Sequence, residues 1–335
     1  MQAFSVGHFR AAARRAAGFG LALSLATHGG CARKDKAPPS EAAAPPAGGP
    51  LAQDDPDLQR QRQKFRAEQD SRMRGELSPL SRIDYVHLPP GEHTVGSGPT
   101  ATVKLDATAS GSLGESAELK LRVDAQGPLR QLFLHAAPAV LRNRTAVTDS
   151  RLQSGDVLAV GRLRLLITGL PEDPAVAIYD PAAKARIDYA GLNYFPDDER
   201  FVVRGRLERY AEPRAVRLEA SRGEPRPLQA LGTLRFILAG QAASMEAYSE
   251  SPAAAAPVHL FLIFKDRTNG EPEGSYGAGR FLNAVVGPQD EVLLDFNQAW
   301  NPLCAYSQYF HCPLPPRSNW LPMAIPAGER SYGTH

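Results

Sequence analysis

At 335 residues the chain has room for roughly two ordinary domains, and its 43% hydrophobic and 22% charged residues are those of a globular protein. With 29 glycines and 29 prolines it is turn-rich, which favours short strands over long helices. A formal net charge of +2 gives no global reason to bind nucleic acid or an anionic membrane surface, and loss of residues 1–30, which hold Arg10, Arg14 and Arg15 and no acid, would carry it just below zero.

Residues 1–31 read as an export signal. Arg10, Arg14 and Arg15 form a positive start, and Ala16 to Ala26 an apolar stretch too short for the ~20 residues of a spanning helix. Gly29 and Gly30 precede Cys31 in a junction that resembles a lipobox, with His28 where leucine is usual. The expectation is lipidation of Cys31, which makes a lipid anchor the sole membrane contact; the alternative is an incidental cysteine near an ordinary cleavage site. Arg14-Arg15 matches a twin-arginine signal poorly. Residues 32–56 form an Ala/Pro-rich linker, unable to build a core and suited to a tether.

Residues 57–82 comprise a helix and a connector. Pro56 precedes the helix Asp57–Arg74 and Gly75 follows it. Its apolar positions are sparse, so a mostly solvated helix docked through one narrow seam is expected. Glu68 and Asp70 interrupt its arginines, which argues against nucleic acid. Residues 83–175 read as short strands and turns, with period-2 patterning at 103–105, 119–123, 132–134 and 163–167. Residues 176–335 read as a second β unit with strands at 201–210, 233–238, 244–248, 258–264, 280–286 and 291–296, arranged as a barrel or sandwich. The fold class is therefore mainly β, with one N-terminal amphipathic helix.

Two resemblances follow from particular segments. Gly91-Glu92-His93-Thr94-Val95-Gly96-Ser97, and Val140 and Asn143 through 152–158 to Gly161, resemble the forkhead-associated β-sandwich. Its phosphopeptide-binding parts do not carry over. Ser97 replaces the arginine, no Ser-x-x-His follows, and Arg144 replaces a glycine. The C-terminal half resembles the domain of unknown function 1684 family. The resemblance is carried by 189–196 (Tyr-Ala-Gly-Leu-Asn-Tyr-Phe-Pro), by Phe264 to Arg280, by Asp295-Phe296-Asn297 onward to Tyr306, and by Cys312-Pro313 through Asn319 to Glu329. It implies membership and fold, and no reaction.

Chemistry concentrates near the C-terminus. Asp295, Asn297, Asn301, Tyr306, Asn319 and Glu329 surround a stretch with five prolines between Pro302 and Pro322. One reading is a structural strap whose polar side chains satisfy its own backbone. The other is a pocket, the domain's main one, lined by Tyr276, Arg280, Asp295 and Asn297. In that reading Arg280 pairs with Asp295 or holds an anion. Catalysis would fall to Asp295, Glu329 and Tyr276, with Arg280, Asn297, Asn301, Tyr306 and Asn319 binding. Cys304 and Cys312 read as a disulfide pair, with free thiols as the alternative. A metal site is not expected, because only His311 stands beside them and no fourth ligand is evident. No cofactor is implied, for there is no nucleophile elbow, phosphate loop or His-Glu-x-x-His. The functional expectation is an exported envelope or periplasmic protein that binds a small ligand or an envelope partner. The alternative is a hydrolase-like enzyme built on Asp295, Arg280 and Glu329.

Overall fold

The computed structural model describes residues 55–110, 119–126, 129–135, 140–250 and 257–333. The signal-like segment, Cys31 and most of the linker lie outside the described residues. Helix α1 spans Pro56–Arg74. Asp55 caps it, its side chain accepting from the amide of Asp57, and Pro56 takes the first turn, where a missing N–H costs nothing. α1 buries Leu58, Arg62 and Met73 and exposes most of the rest. A buried arginine inside an otherwise narrow apolar seam is the first departure from expectation. No described helix is long and apolar enough to cross a membrane.

Eleven short strands follow: β1 (Arg82–His87), β2 (Gly91–Gly96), β3 (Val103–Lys104), β4 (Leu119–Gln126), β5 (Leu129–His135), β6 (Leu141–Arg142), β7 (Thr145–Ala146), β8 (Asp149–Leu152), β9 (Val157–Val160), β10 (Leu163–Thr168) and β11 (Ala175–Tyr179). They form two sheets, β1-β11-β10-β9-β6-β7 and β3-β2-β4-β5-β8. Alternation along each strand sends one set of side chains inward. Leu121, Val123, Leu132, Leu134 and Leu152 of the second sheet share one core with Leu158, Val160, Leu163, Leu165, Ile167, Val176 and Ile178 of the first. β11 is buried along its whole length because β1 and β10 flank it. This strand straddles the division at 175/176.

The C-terminal region is a sheet in the order β16-β15-β14-β13-β12-β17. Its strands are β12 (Val202–Leu218), β13 (Arg226–Leu238), β14 (Gln241–Ser249), β15 (His259–Phe264), β16 (Arg280–Val285) and β17 (Glu291–Asp295). The edge strands β16 and β17 meet at a bridge between Val286 and Val292, so the sheet is nearly closed and barrel-like. β12 runs well past the expected end at Tyr210. Its register against β13 jumps between Arg209 and Arg214, and Pro213 sits in that bulge, where no ladder bond is lost. Gly232 faces the bulge, and a Cβ there would lie 2.3 Å from the carbonyl oxygen of Glu208.

The barrel interior holds Leu207, Leu234, Phe236, Leu262, Phe264 and Phe296, and Phe296 meets Phe264 edge-on with ring centres 5.4 Å apart. Each such ring contributes on the order of 1.5–3 kcal/mol by burial. The segment after Ala299 straps the barrel and inserts Leu321, Met323, Ile325 and Ala327 into the same core.

Candidate functional site

Asp295 closes β17 and is saturated. Its Oδ2 accepts from Arg62 Nε at 2.7 Å and Gln298 Nε2 at 3.1 Å, and its Oδ1 from the amide and side chain of Asn297 at 3.1 and 2.9 Å. Arg62 also donates to Glu199 at 2.6 Å. Burial works against its charge, but the bonds to Glu199 and Asp295 outweigh it and raise the guanidinium's proton affinity. Asn297 exchanges two bonds with the backbone of Asp198, each 3.0 Å long. Asp295 and Asn297 thus tie α1 and the 198–199 turn to the end of β17.

Arg280 opens β16 and turns to the strap instead. It donates to Asp266 at 2.7 Å and to the carbonyls of Ile325, at 2.9 Å, and Ala327. Asp266 in turn accepts from Thr268 and the amide of Ile325. Arg280 is fully buried, 5.3 Å from the centre of the Phe264 ring. The expected Arg280–Asp295 pair is therefore corrected. Each has another ion-pair partner, Asp266 for Arg280 and Arg62 for Asp295, because Asp295 faces α1 while Arg280 faces the inserted strap.

Asn319 is likewise structural in its contacts. β14 and β15 share one ladder pair, Tyr248 with Phe261. The Asn319 side chain fills the gap, donating to the carbonyls of Glu246 and Ile263 and accepting from the Glu246 amide at 2.8 Å.

The remaining candidates converge at the other end of α1. Glu329 is 1% exposed. Gly328 before it adopts φ +78°, where a Cβ would strike the carbonyl oxygens of Ala299 and Phe296 at 2.6 and 2.7 Å. Glu329 accepts from the amide and side chain of Asn301, both at 2.9 Å, and from the Tyr306 hydroxyl at 2.5 Å. Burial pushes its carboxyl up to about 7, against the pull of those bonds and of Arg72. Arg72 of α1 lies over the Trp300 ring at 5.6 Å, and Arg66 over the Tyr194 ring at 4.6 Å. Five buried side-chain atoms on α1, the 189–196 segment and the strap have no hydrogen-bond partner: Nε of Arg66, Nε of Arg72, the Tyr194 hydroxyl, Nε1 of Trp300 and Oδ1 of Asn301. Of these residues, Arg72 and Tyr194 act electrostatically on Glu329 and Asn301 bonds it. Asn301 and Glu329 are buried, whereas Arg66, Arg72, Tyr194 and Trp300 are partly exposed.

The two acids proposed to share acid–base roles are thus separated. Asp295 is held by Arg62 and Glu329 faces Arg72, ten residues or about 15 Å further along α1.

Tyr276 faces the cysteines. Cys304 and Cys312 are free thiols, and the Cys304 amide donates to Cys312 Sγ at 3.3 Å. The expected disulfide is not formed in this structure. A hydrogen bond from Cys312, with help from Ser221 and Tyr276, lowers the Cys304 thiol to about 7 although burial opposes it. The same contact with Cys304, followed by burial, holds the proton on Cys312. Burial, then Cys304, pushes Tyr276 up to about 12. His311 turns away to meet Tyr85 edge-on at 5.8 Å. No group of three or more metal-ligating side chains occurs among the described residues.

Two open depressions lie elsewhere. One, of about 470 Å³, crosses the exposed face of β4, β5 and β8, and one of about 310 Å³ lies beside Trp320. Neither is lined by Tyr276, Arg280, Asp295 or Asn297, which corrects the expected main pocket. Sequence reasoning missed Arg62, Arg66, Arg72, Glu199, Asp266 and Tyr194. The available signal was the stripe Leu58, Arg62, Arg66, Gln69, Met73, which keeps arginines on the buried face of the helix.

Residues 187–330 match the family model described as "Protein of unknown function (DUF1684)". A solution NMR structure of an uncharacterized protein from gene locus rrnAC0354 of Haloarcula marismortui is 38% identical. The match covers 43% of this chain and 78% of that one, with a TM-score of 0.37. No curated protein matches the chain. The matched residues include Tyr194, Trp300, Asn301, Tyr306 and Glu329, whereas the arginines of α1 lie outside them. Through residues 187–330, the C-terminal part of this chain belongs to the family described as Protein of unknown function (DUF1684).

Proposed function

We propose that the C-terminal region is a small-ligand-binding module whose site is the polar cluster around Glu329 and Asn301 beneath α1. The observation that carries this reading is a set of buried, unpartnered polar atoms on Arg72, Tyr194 and Asn301 beside one buried carboxylate. Buried polar groups are nearly always bonded, and each orphan costs about 1–3 kcal/mol. A bound molecule supplies the missing partners. Of the earlier binding candidates, Asn301 and Tyr306 belong to this cluster, while Arg280 anchors the strap from β16, Asn297 holds the 198–199 turn and Asn319 bridges β14 and β15. A thermal-shift screen of small polar metabolites tests the reading, since a ligand of the native state raises stability by mass action. Hits must lose their shift in Tyr194→Phe. A screen whose hits ignore that change ends the proposal.

A second reading, a hydrolase-like enzyme, is favoured by one observation. Glu329 titrates near neutrality beside the Tyr306 hydroxyl, as a general acid–base group requires. It no longer includes Asp295 or Arg280. Turnover of any substrate surviving Glu329→Gln would remove it.

Three further elements complete the proposal. The chain is exported and tethered by lipid on Cys31, which mass spectrometry of the purified N-terminus tests; an intact Met1 would oppose it. In an oxidising compartment Cys304 and Cys312 close a disulfide. Residues 83–175 are a forkhead-associated-like sandwich that does not read phosphothreonine. Its Asn143 side chain is engaged internally, donating to Asp156 and accepting from the amide of Val157, both at 2.9 Å. Tight phosphate-dependent binding in calorimetry would overturn that element.

A further inference from the structure

We infer that the ligand of the Glu329 cluster is a small carboxylic acid taken up as its anion, with Arg72 opposite the carboxylate and Tyr194 and Trp300 donating to its oxygens. The inference rests on the binding-site reading above.

Nε of Arg66, Nε of Arg72 and Nε1 of Trp300 can only donate, the Tyr194 hydroxyl does either, and Oδ1 of Asn301 only accepts. The cluster therefore asks its occupant for more acceptors than donors. An ionised carboxylate offers about four lone-pair sites and no donor. Its planar geometry also suits a guanidinium. A polyol can supply acceptors too, two lone pairs to each hydroxyl, but brings no charge for a guanidinium; the one acceptor, Oδ1 of Asn301, is met by an acid that also carries a hydroxyl, as lactate does.

Arg66 is committed to Asp197. Arg72 takes part in no ion pair among the described residues, and its terminal nitrogen donates to Gln69. Burial lowers its proton affinity, and Tyr306, Glu329 and Tyr194 offset that only in part. One negative charge answers that need. A phosphate dianion would add a second beside Glu329, and Arg66, the other guanidinium near Tyr194, already pairs with Asp197.

Glu329 is faced by Arg72 from α1, by Tyr306 and Asn301 from the strap, and by Tyr194 from the 189–196 segment, behind which lie Arg66 and Asp70. When protonated, Glu329 accepts a neighbouring anion; when ionised, it repels one. With its carboxyl held at about 7, affinity rises as pH falls through neutrality. Small carboxylic acids titrate near ~4 and stay anionic throughout.

The test is calorimetry and thermal shift on the whole chain with sodium acetate, sodium lactate, sodium phosphate and glycerol, at pH 6 and pH 8. Wild type, Tyr194→Phe and Arg72→Gln are compared. Acetate or lactate is expected to bind about tenfold tighter at the lower pH, one proton being taken up. Tyr194→Phe should weaken binding roughly fivefold without lowering the unliganded melting temperature, because its hydroxyl has no partner to lose. Arg72→Gln should lose tenfold or more. Glycerol binding that needs Tyr194, or phosphate binding tighter than the acids, overturns the acid assignment and leaves the site reading standing. Absence of acid binding at both pH values also overturns the assignment alone. Acid binding unchanged in both variants overturns the assignment and the site together.

Discussion

Arg62 donates from Nε to Oδ2 of Asp295 at 2.7 Å, joining residues 233 positions apart in the chain. Both are nearly inaccessible, at 1% and 5% side-chain exposure. The pair fixes α1, which lies outside the family match, onto the barrel that lies inside it. Breaking a buried pair by removing one partner costs about 3–5 kcal/mol, since the other charge stays buried alone. Arg62→Met is expected to show that loss in urea denaturation. Asp295→Asn should cost less, about 1–3 kcal/mol, because Arg62 keeps Glu199. The double variant should recover part of the Arg62→Met loss. Additive losses would mean that the two side chains act independently.

Asn319 stands in for a missing stretch of ladder between β14 and β15. Asn319→Leu would leave two carbonyls and one amide unpaired in the interior. The expected loss is about 2–4 kcal/mol, with faster hydrogen exchange at the Glu246 amide. Trp320→Ala next door is the control. That ring is 42% exposed and lies over Arg317, so its loss should stay below about 1 kcal/mol.

Glu329 makes stability depend on pH in the opposite sense to an ordinary paired carboxylate. Its folded carboxyl sits at about 7, above its usual value, so the native state holds a proton that the unfolded chain has released. This contribution is complete at acid pH and is lost as pH rises through about 7. The linkage amounts to about 3 kcal/mol. Urea midpoints at pH 5 and pH 8 should differ in that direction in wild type and converge in Glu329→Gln. An unchanged slope in the variant would assign the dependence elsewhere.

The thiol pair should react unequally. Cys304, lowered to about 7 by Cys312, is expected to take iodoacetamide at pH 7.5 well before Cys312. Cys312→Ser removes the main cause and should slow Cys304. Oxidation of the pair by glutathione disulfide should raise stability by about 2.5 kcal/mol, the entropy of closing so short a loop. Equal labelling of both thiols would contradict the geometry.

The sequence by itself determined the elements that depend on local chemistry. The helix followed from Pro56, Gly75 and its helix-forming residues, and the structure starts it one residue earlier than expected. The strands from Arg280 and from Glu291 followed from apolar alternation, and the mainly β class from turn density. For Asn297 and Asn319 the sequence left a strap and a pocket both open; folded, Asn297 bonds the backbone of Asp198 and Asn319 that of Glu246 and Ile263. The ends of β12 were not legible, because the bulge around Pro213 is created by pairing with β13 rather than by its own residues.

Partner choice was decided only by the tertiary structure. Arg280 and Asp295 looked complementary from their places at a strand's start and a strand's end. Insertion of Ile325 and Ala327 gave Arg280 to the strap, and the docking of α1 gave Asp295 to Arg62. An arginine's buried counter-ion depends on which distant segment excludes water above it, and no local pattern encodes that. The same holds for Glu329. Its residue type was visible in the sequence, but its raised carboxyl comes from burial in the folded protein, which outweighs the opposing pull of Asn301, Tyr306 and Arg72.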